Sequence, residues 1–183
     1  RNPEAIINSR LQGYGDYATP EQGIPVKRPA DNYWELCMTI NDSWGYQQND
    51  RDFKSPGQII KIFAECLSKG GNLLLDIGPR ADGSIPGEEV NVLRELGKWT
   101  RKHSEAIYGT EGGLPAGYFY GPSTISKDST MLYLFINGNP KGQVMLEGVK
   151  NKINRIYVVG NGTKLSSKEY LKPYWSNNAA LQF

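Results

Sequence analysis

The chain has 183 residues, enough to bury a core in one or two domains. Its 21 Lys and Arg nearly balance 19 Asp and Glu, so composition offers no basic face for nucleic acid. No apolar run approaches the roughly 20 residues that cross a membrane.

The first half alternates short apolar runs with helical patterns. Ala5-Ile6-Ile7-Asn8 reads as a short buried strand. A long irregular loop follows from Gly13 to Asn32, rich in Gly, Pro and Tyr; loops of that length inside a compact domain are usually functional. Trp34 to Thr39 is a second apolar run, and a second loop, Asn41 to Lys54, carries Trp44-Gly45-Tyr46. Ser55-Pro56 is a helix start, with Ser as N-cap and Pro at the first helical position. Ile59, Ile60, Phe63, Cys66 and Leu67 recur at helical spacing, and Gly70-Gly71 supplies the stop. The apolar run from Asn72 to Pro79 suits a strand buried on both faces, as in parallel sheets. Asp82-Gly83 is a turn, and Pro86 opens a helix with Val90, Leu93, Leu96, Trp99 and His103 along one stripe.

The second half reads as strands and turns. Thr130 to Ile136, Gln143 to Leu146 and Ile153 to Val159 are separated by Asn137-Gly138 and Gly160-Asn161-Gly162, both turn signals. The expected fold is therefore α/β: the last strands and helices of a (β/α)8-type barrel over 1–113, then an antiparallel β-sandwich over 114–183. Three strands and two helices do not close a barrel, and the chain opens on Arg1 rather than Met. Preceding polypeptide is thus expected to complete the barrel, and the strand pattern still runs at Phe183.

In such barrels the active site lies at the C-terminal ends of the strands. The residues there would be Asn8, Ser9, Arg10, Asp16 and Glu21, then Asn41, Asp42 and Trp44, then Asp76 and Arg80. Carboxylates, a guanidinium and aromatic platforms suit glycosidic cleavage. One carboxylic acid protonates the leaving oxygen while a second carboxylate attacks the anomeric carbon or activates water. Such a composition is common in soluble loops and is weak by itself. Cys37 and Cys66 read as buried free thiols, without a His or second Cys at metal-ligand spacing. His103, on a late helix, reads as a packed or capping residue. Asn41-Asp42-Ser43 and Asn161-Gly162-Thr163 match glycosylation sequons, as chance also allows.

Three stretches carry a sharper signal: NSRLQGYGDYATPEQ, WELCMTINDSWGY and LSKGGNLLLDIGPRADGSIP, with GKWTRKHSEAIYGT behind them. In this order they resemble the α-L-fucosidases of glycoside hydrolase family 29, from about Asn8 to Thr110. The resemblance implies a catalytic barrel followed by a β-sandwich, a retaining exo-fucosidase, a fucosylated glycan or oligosaccharide as substrate, and a lysosomal or exported location. It implies no metal or organic cofactor. The family's nucleophile, an Asp in a Trp-x-Asp motif, would lie upstream of this chain, so the chain alone is expected to be inactive. A catalytically inactive carbohydrate-binding relative of the same fold is the alternative.

Residue by residue, the resemblance puts Arg10 at an active-site Arg that contacts the sugar or the nucleophile. Glu21 falls where several members carry the acid/base, with Glu35 its main rival and Asp16 third. Trp44 falls at an aromatic walling the fucose ring and its methyl group. Trp34 reads as core. Asp76 departs from the family's usual Asn and is given no catalytic role.

Overall fold

The computed structural model describes residues 2–11, 14–31, 33–170 and 180–182. Gly13 and Asn32, the expected ends of the first loop, lie outside them, as does most of the segment after Tyr170 where further strands were expected. The chain divides into two compact units, Arg1–Arg101 and Lys102–Phe183.

The first unit is α/β. Strands β1 (Glu35–Thr39) and β2 (Asn72–Asp76) pair in parallel, joined by helix α1 (Pro56–Ser68); α2 (Gly87–Lys102) follows β2. The start of α1 is as the sequence foretold. The Ser55 hydroxyl accepts from the Gln58 N–H while the Gln58 side chain accepts from the Ser55 N–H, and Pro56 stands at the first turn. Such a cap stabilises a helix by about 0.5–2 kcal/mol. Gly70, at φ +72°, ends it in a conformation that favours glycine.

Alternation along the strands sorts the side chains onto two faces. Leu36 and Met38 of β1 pack with Trp34 and with Cys66 of α1. Leu73 and Leu75 of β2 join Ile40, Ile59 and Val92, bringing both helices against one face of the sheet. Trp34 is core, as expected: its ring is 1% exposed and its indole N–H donates to the Lys69 carbonyl at 3.1 Å. Cys66 is fully buried, and burial pushes its thiol up to about 12.

Four expectations need correction. Residues 5–8 form no strand, and Ile6 and Ile7 are exposed. Their polar groups bond to the chain just ahead instead. Ile7 N–H donates to the Asp16 carboxylate, Asp16 N–H to the Ile7 carbonyl and Ser9 N–H to Tyr17. Second, β2 is not buried on both faces: Leu74, opposite the helices, is 49% exposed. Third, Cys37 is free but only half-buried, because it lies on that same uncovered face. Fourth, the buried line of α2 runs through Glu89 and Val92, with Val90 and Trp99 only partly covered.

The second unit is built of short antiparallel strands. After a single 3-10 turn at Ser104–Ala106, β3 (Thr110–Gly112), β4 (Ser123–Ser126) and β5 (Leu132–Leu134) pair in that order. β6 (Met145–Glu147) pairs with β10 (Ala180–Gln182), which pairs with β9 (Lys168–Tyr170). β7 (Ile156–Tyr157) and β8 (Lys164–Leu165) form a hairpin across Gly160-Asn161-Gly162. Both its glycines have positive φ, as that turn signal predicted. β5, β6 and β7 overlap the three apolar runs read from the sequence; each is shorter than its run, and β6 reaches one residue beyond, to Glu147. Leu132, Leu134 and Leu146 from two sheets meet around Phe119 and Val144.

Candidate active site

The face of the β1–β2 pair that the helices leave open carries most of the candidate residues. Cα partners across a sheet share a face. The register therefore puts Glu35 beside Asn72, Cys37 beside Leu74 and Thr39 beside Asp76 on this side. The first loop runs along β1 here instead of standing free. Ala18 bridges Trp34 and Glu21 bridges Cys37, both in parallel sense. Cys37 N–H donates to the Pro20 carbonyl and Gln22 N–H to the Cys37 carbonyl, each at 2.9 Å. Gln22, at φ +56°, bends the segment there. Its side-chain amide donates to the Thr39 hydroxyl at 3.1 Å, at the end of β1.

This pairing brings Glu21 against Arg10, whose guanidinium forms an ion pair with its carboxylate. Both side chains are about half open to solvent, at 50% and 40%. The Cys37 thiol registers the charge collected around it. Burial pushes it up, Arg10 pulls it back, and Glu21, Asp76 and Glu35 push it further up. Asp76 ends β2, and its Oδ2 is buried with no hydrogen-bond partner among the described residues.

The three remaining carboxylate and aromatic candidates are placed differently. Asp16 is engaged by the Ile7 N–H at 2.7 Å, a local structural duty. Glu35 sits at the first position of β1, further from the C-terminal end than the level of Glu21. Trp44 stands on a separate loop that leaves β1 at its C-terminal end, and its ring is 50% exposed. Asp50 organises that loop. Its carboxylate accepts from the Ser43 hydroxyl and from the Asp42 and Asp52 amides, with the Ser43 bond chiefly holding it below the usual carboxylate range.

Two further residues stand beside these loops: Arg80, which the sequence placed after the third apolar run, and Glu89, which it did not single out. The Arg80 guanidinium lies 5.3 Å from the centroid of the Tyr46 ring, a cation–π distance. Glu89 is fully buried on α2, and both its oxygens lie within 3.2 Å of the Gly78 amide. Burial pushes its carboxyl above the usual range. From the sequence Glu89 reads only as an acid in a first helical turn, favourable to the helix dipole. Asn41 is buried, so its sequon is closed to a glycan in the folded chain, whereas Asn161 is exposed. No group of three or more His, Cys, Asp or Glu stands ready to hold a metal among the described residues.

The sequence model of the α-L-fucosidase family matches residues 2–105. The chain belongs to that family, glycoside hydrolase family 29. Plasma α-L-fucosidase of Rattus norvegicus is 44% identical over 100 residues, covering 53% of this chain and 22% of that protein. Human tissue α-L-fucosidase is 30% identical over 171 residues, 86% of this chain and 36% of its own length. In three dimensions α-L-fucosidase isoenzyme 1 from Paenibacillus thiaminolyticus superposes with a TM-score of 0.84 and 28% identity over 99% of this chain and 50% of that one. The chain thus spans a fifth to about a third of these two curated family members, and half of the solved bacterial structure.

Proposed function

We propose that the protein acts as a retaining exo-α-L-fucosidase, with this chain supplying the Arg10–Glu21 pair and the Trp44 wall of its active site. The observation that carries the reading is the ion pair itself. Family membership supplies the reaction, and an Arg–carboxylate couple on the open face of a parallel sheet supplies matching chemistry. When substrate hydroxyls take over the Arg10 fork, Glu21 takes up a proton from solvent, gives it to the departing glycosidic oxygen and then takes one from water, while a nucleophilic Asp outside this chain forms and releases the glycosyl-enzyme. Arg10 orients a carboxylate and a sugar hydroxyl with its fork of donors. Trp44 offers an apolar wall to the C5 methyl of fucose; a hydroxymethyl there loses water without gaining a partner.

The open face, with Leu74 half exposed, fits the interior of a β/α barrel completed by polypeptide outside this chain, and the second unit fits the start of a β-sandwich. The substrate is a terminal α-L-fucosyl group on a glycan or oligosaccharide. Similarity to plasma and tissue enzymes supports a secreted or lysosomal setting. No helix among the described residues is long and apolar enough to cross a membrane.

The test is chemical rescue in the full-length protein. Glu21→Gln should lower turnover of natural fucosides by roughly 10²–10⁴. Azide, which needs no general base, should restore turnover of an aryl fucoside and yield a fucosyl azide. Rescue in Glu35→Gln but not in Glu21→Gln transfers the role to Glu35. Wild-type protein that binds fucose without cleaving aryl fucosides favours the inactive binding relative.

A further inference from the structure

We propose that Glu89 is a positioning residue for the Trp44 loop, acting through the backbone of Gly78. The proposal rests on the reading of Trp44 as the substrate wall and names what holds that wall in place. A core-facing helix position is ordinarily apolar, because a carboxylate taken out of water is costly unless donors meet it. Here the donor is the Gly78 amide, at 3.2 and 3.1 Å from the two oxygens, on the loop that leaves β2. The contact continues on the other side of Gly78. A Cβ at that position would lie 2.7 Å from the Gly45 carbonyl carbon and from the Tyr46 nitrogen. Gly78 is therefore pressed directly onto the peptide that follows Trp44, with no room for a side chain between.

Two residues on, Arg80 over the Tyr46 ring joins the same two loops a second time. The turn carrying Arg80 is itself fixed: its N–H donates to the Ser84 carbonyl, and the Asp82 carboxylate accepts from the Ser84 amide and hydroxyl. Trp44 is half exposed, so its backbone, more than packing around its ring, sets where the ring stands. The line from Glu89 to Gly78 to Gly45-Tyr46 supplies that backbone constraint from helix α2.

The experiment compares Glu89→Gln, which keeps an acceptor oxygen, with Glu89→Leu, which keeps bulk and loses it, in the full-length protein. For Glu89→Leu, KM for an aryl α-L-fucoside should rise on the order of 10-fold with kcat less affected. Preference over the aryl α-L-galactoside, which adds a hydroxyl to the C5 methyl, should fall on the order of 10-fold, the scale of a small apolar contact. Glu89→Gln should keep most of both. Amide exchange should quicken in residues 41–47 and 77–80 while α1 keeps its protection. Gly78→Ala, which pushes the two loops apart with Glu89 intact, should give the same pattern and serves if Glu89→Leu does not fold. Wild-type preference and exchange in these variants, or faster exchange spread equally through α1, would overturn the proposal. Wild-type protein that leaves the fucoside intact overturns the fucosidase reading instead, and the exchange pattern then decides the Glu89 contact alone.

Discussion

Arg10 and Glu21 are paired on the face of the parallel sheet that the helices leave uncovered, because Glu21 runs beside Cys37 of β1. An ion pair so open to solvent adds roughly 0–1 kcal/mol to stability, so the proposed reading, in which it orients groups in the site, is tested by kinetics and not by stability. Arg10→Lys retains the charge and loses the planar fork. We expect the melting temperature to stay within a degree or two, while kcat/KM on an aryl fucoside falls about 10- to 100-fold, the size of one lost charge-assisted hydrogen bond. Unchanged kinetics in a folded Arg10→Lys would reduce the pair to a surface salt bridge.

Trp44 is the second kinetic test. Its ring is half exposed at the end of β1, so truncation leaves no core cavity and stability should change little. Trp44→Ala should raise KM and weaken discrimination for fucose over the 6-hydroxy analogue by about 1–3 kcal/mol, the range for a methyl-sized contact. Equal discrimination in wild type and variant would remove Trp44 from the site.

The helices were legible because their signals are local. Ser55-Pro56, the 3.6-residue apolar period and Gly70-Gly71 each act within a turn or two of chain. The uncovered sheet face was not legible. An apolar run such as Leu73-Leu74-Leu75 looks the same whether one or both faces are covered; only the register with β1 shows that Leu74 turns away from the helices. β4 was missed for the opposite reason. Ser123 and Thr124 look polar, yet both are buried. Ser123 Oγ accepts from the Leu114 N–H and Thr124 Oγ1 donates to the Ala106 carbonyl, both at 2.8 Å. The Arg10–Glu21 couple was named residue by residue from motif resemblance, but its contact depends on a strand-like pairing inside a stretch that composition marks as loop.

Gly71 offers a stability test of the Trp34 core. A Cβ built there overlaps the indole ring, and that ring is held by its bond to the Lys69 carbonyl and by the surrounding apolar cluster. Gly71→Ala therefore overpacks a site that cannot relax cheaply, and should cost about 1–3 kcal/mol in chemical denaturation. The control is Gly57→Ala on α1, where nothing lies within contact distance of the new methyl. That change should be neutral or stabilising, since alanine favours a helix over glycine. A Gly71→Ala variant as stable as wild type would mean that the Trp34 ring has room to move.

Glu89 makes a prediction about pH whose sign follows from its burial. Its carboxyl is held above the ordinary glutamate value, first by loss of water and partly offset by the Gly78 amide; Asp76 adds to the rise and Arg80 opposes it. Between the unfolded and the folded value the folded chain holds the proton that the unfolded chain has released. Stability therefore falls as pH rises through that window and is level above it. Glutamine at this position has no proton to lose and keeps one acceptor for Gly78. The stability difference between wild type and Glu89→Gln should consequently shift in favour of the variant as pH rises from about 4, near the ordinary glutamate value, and then stop changing. Urea midpoints taken at close pH intervals for both proteins read this directly. A difference that stays flat across the window would mean that the Glu89 carboxyl ionises in the folded chain as it does in the unfolded one; a difference moving the other way would mean that the Gly78 amide outweighs burial.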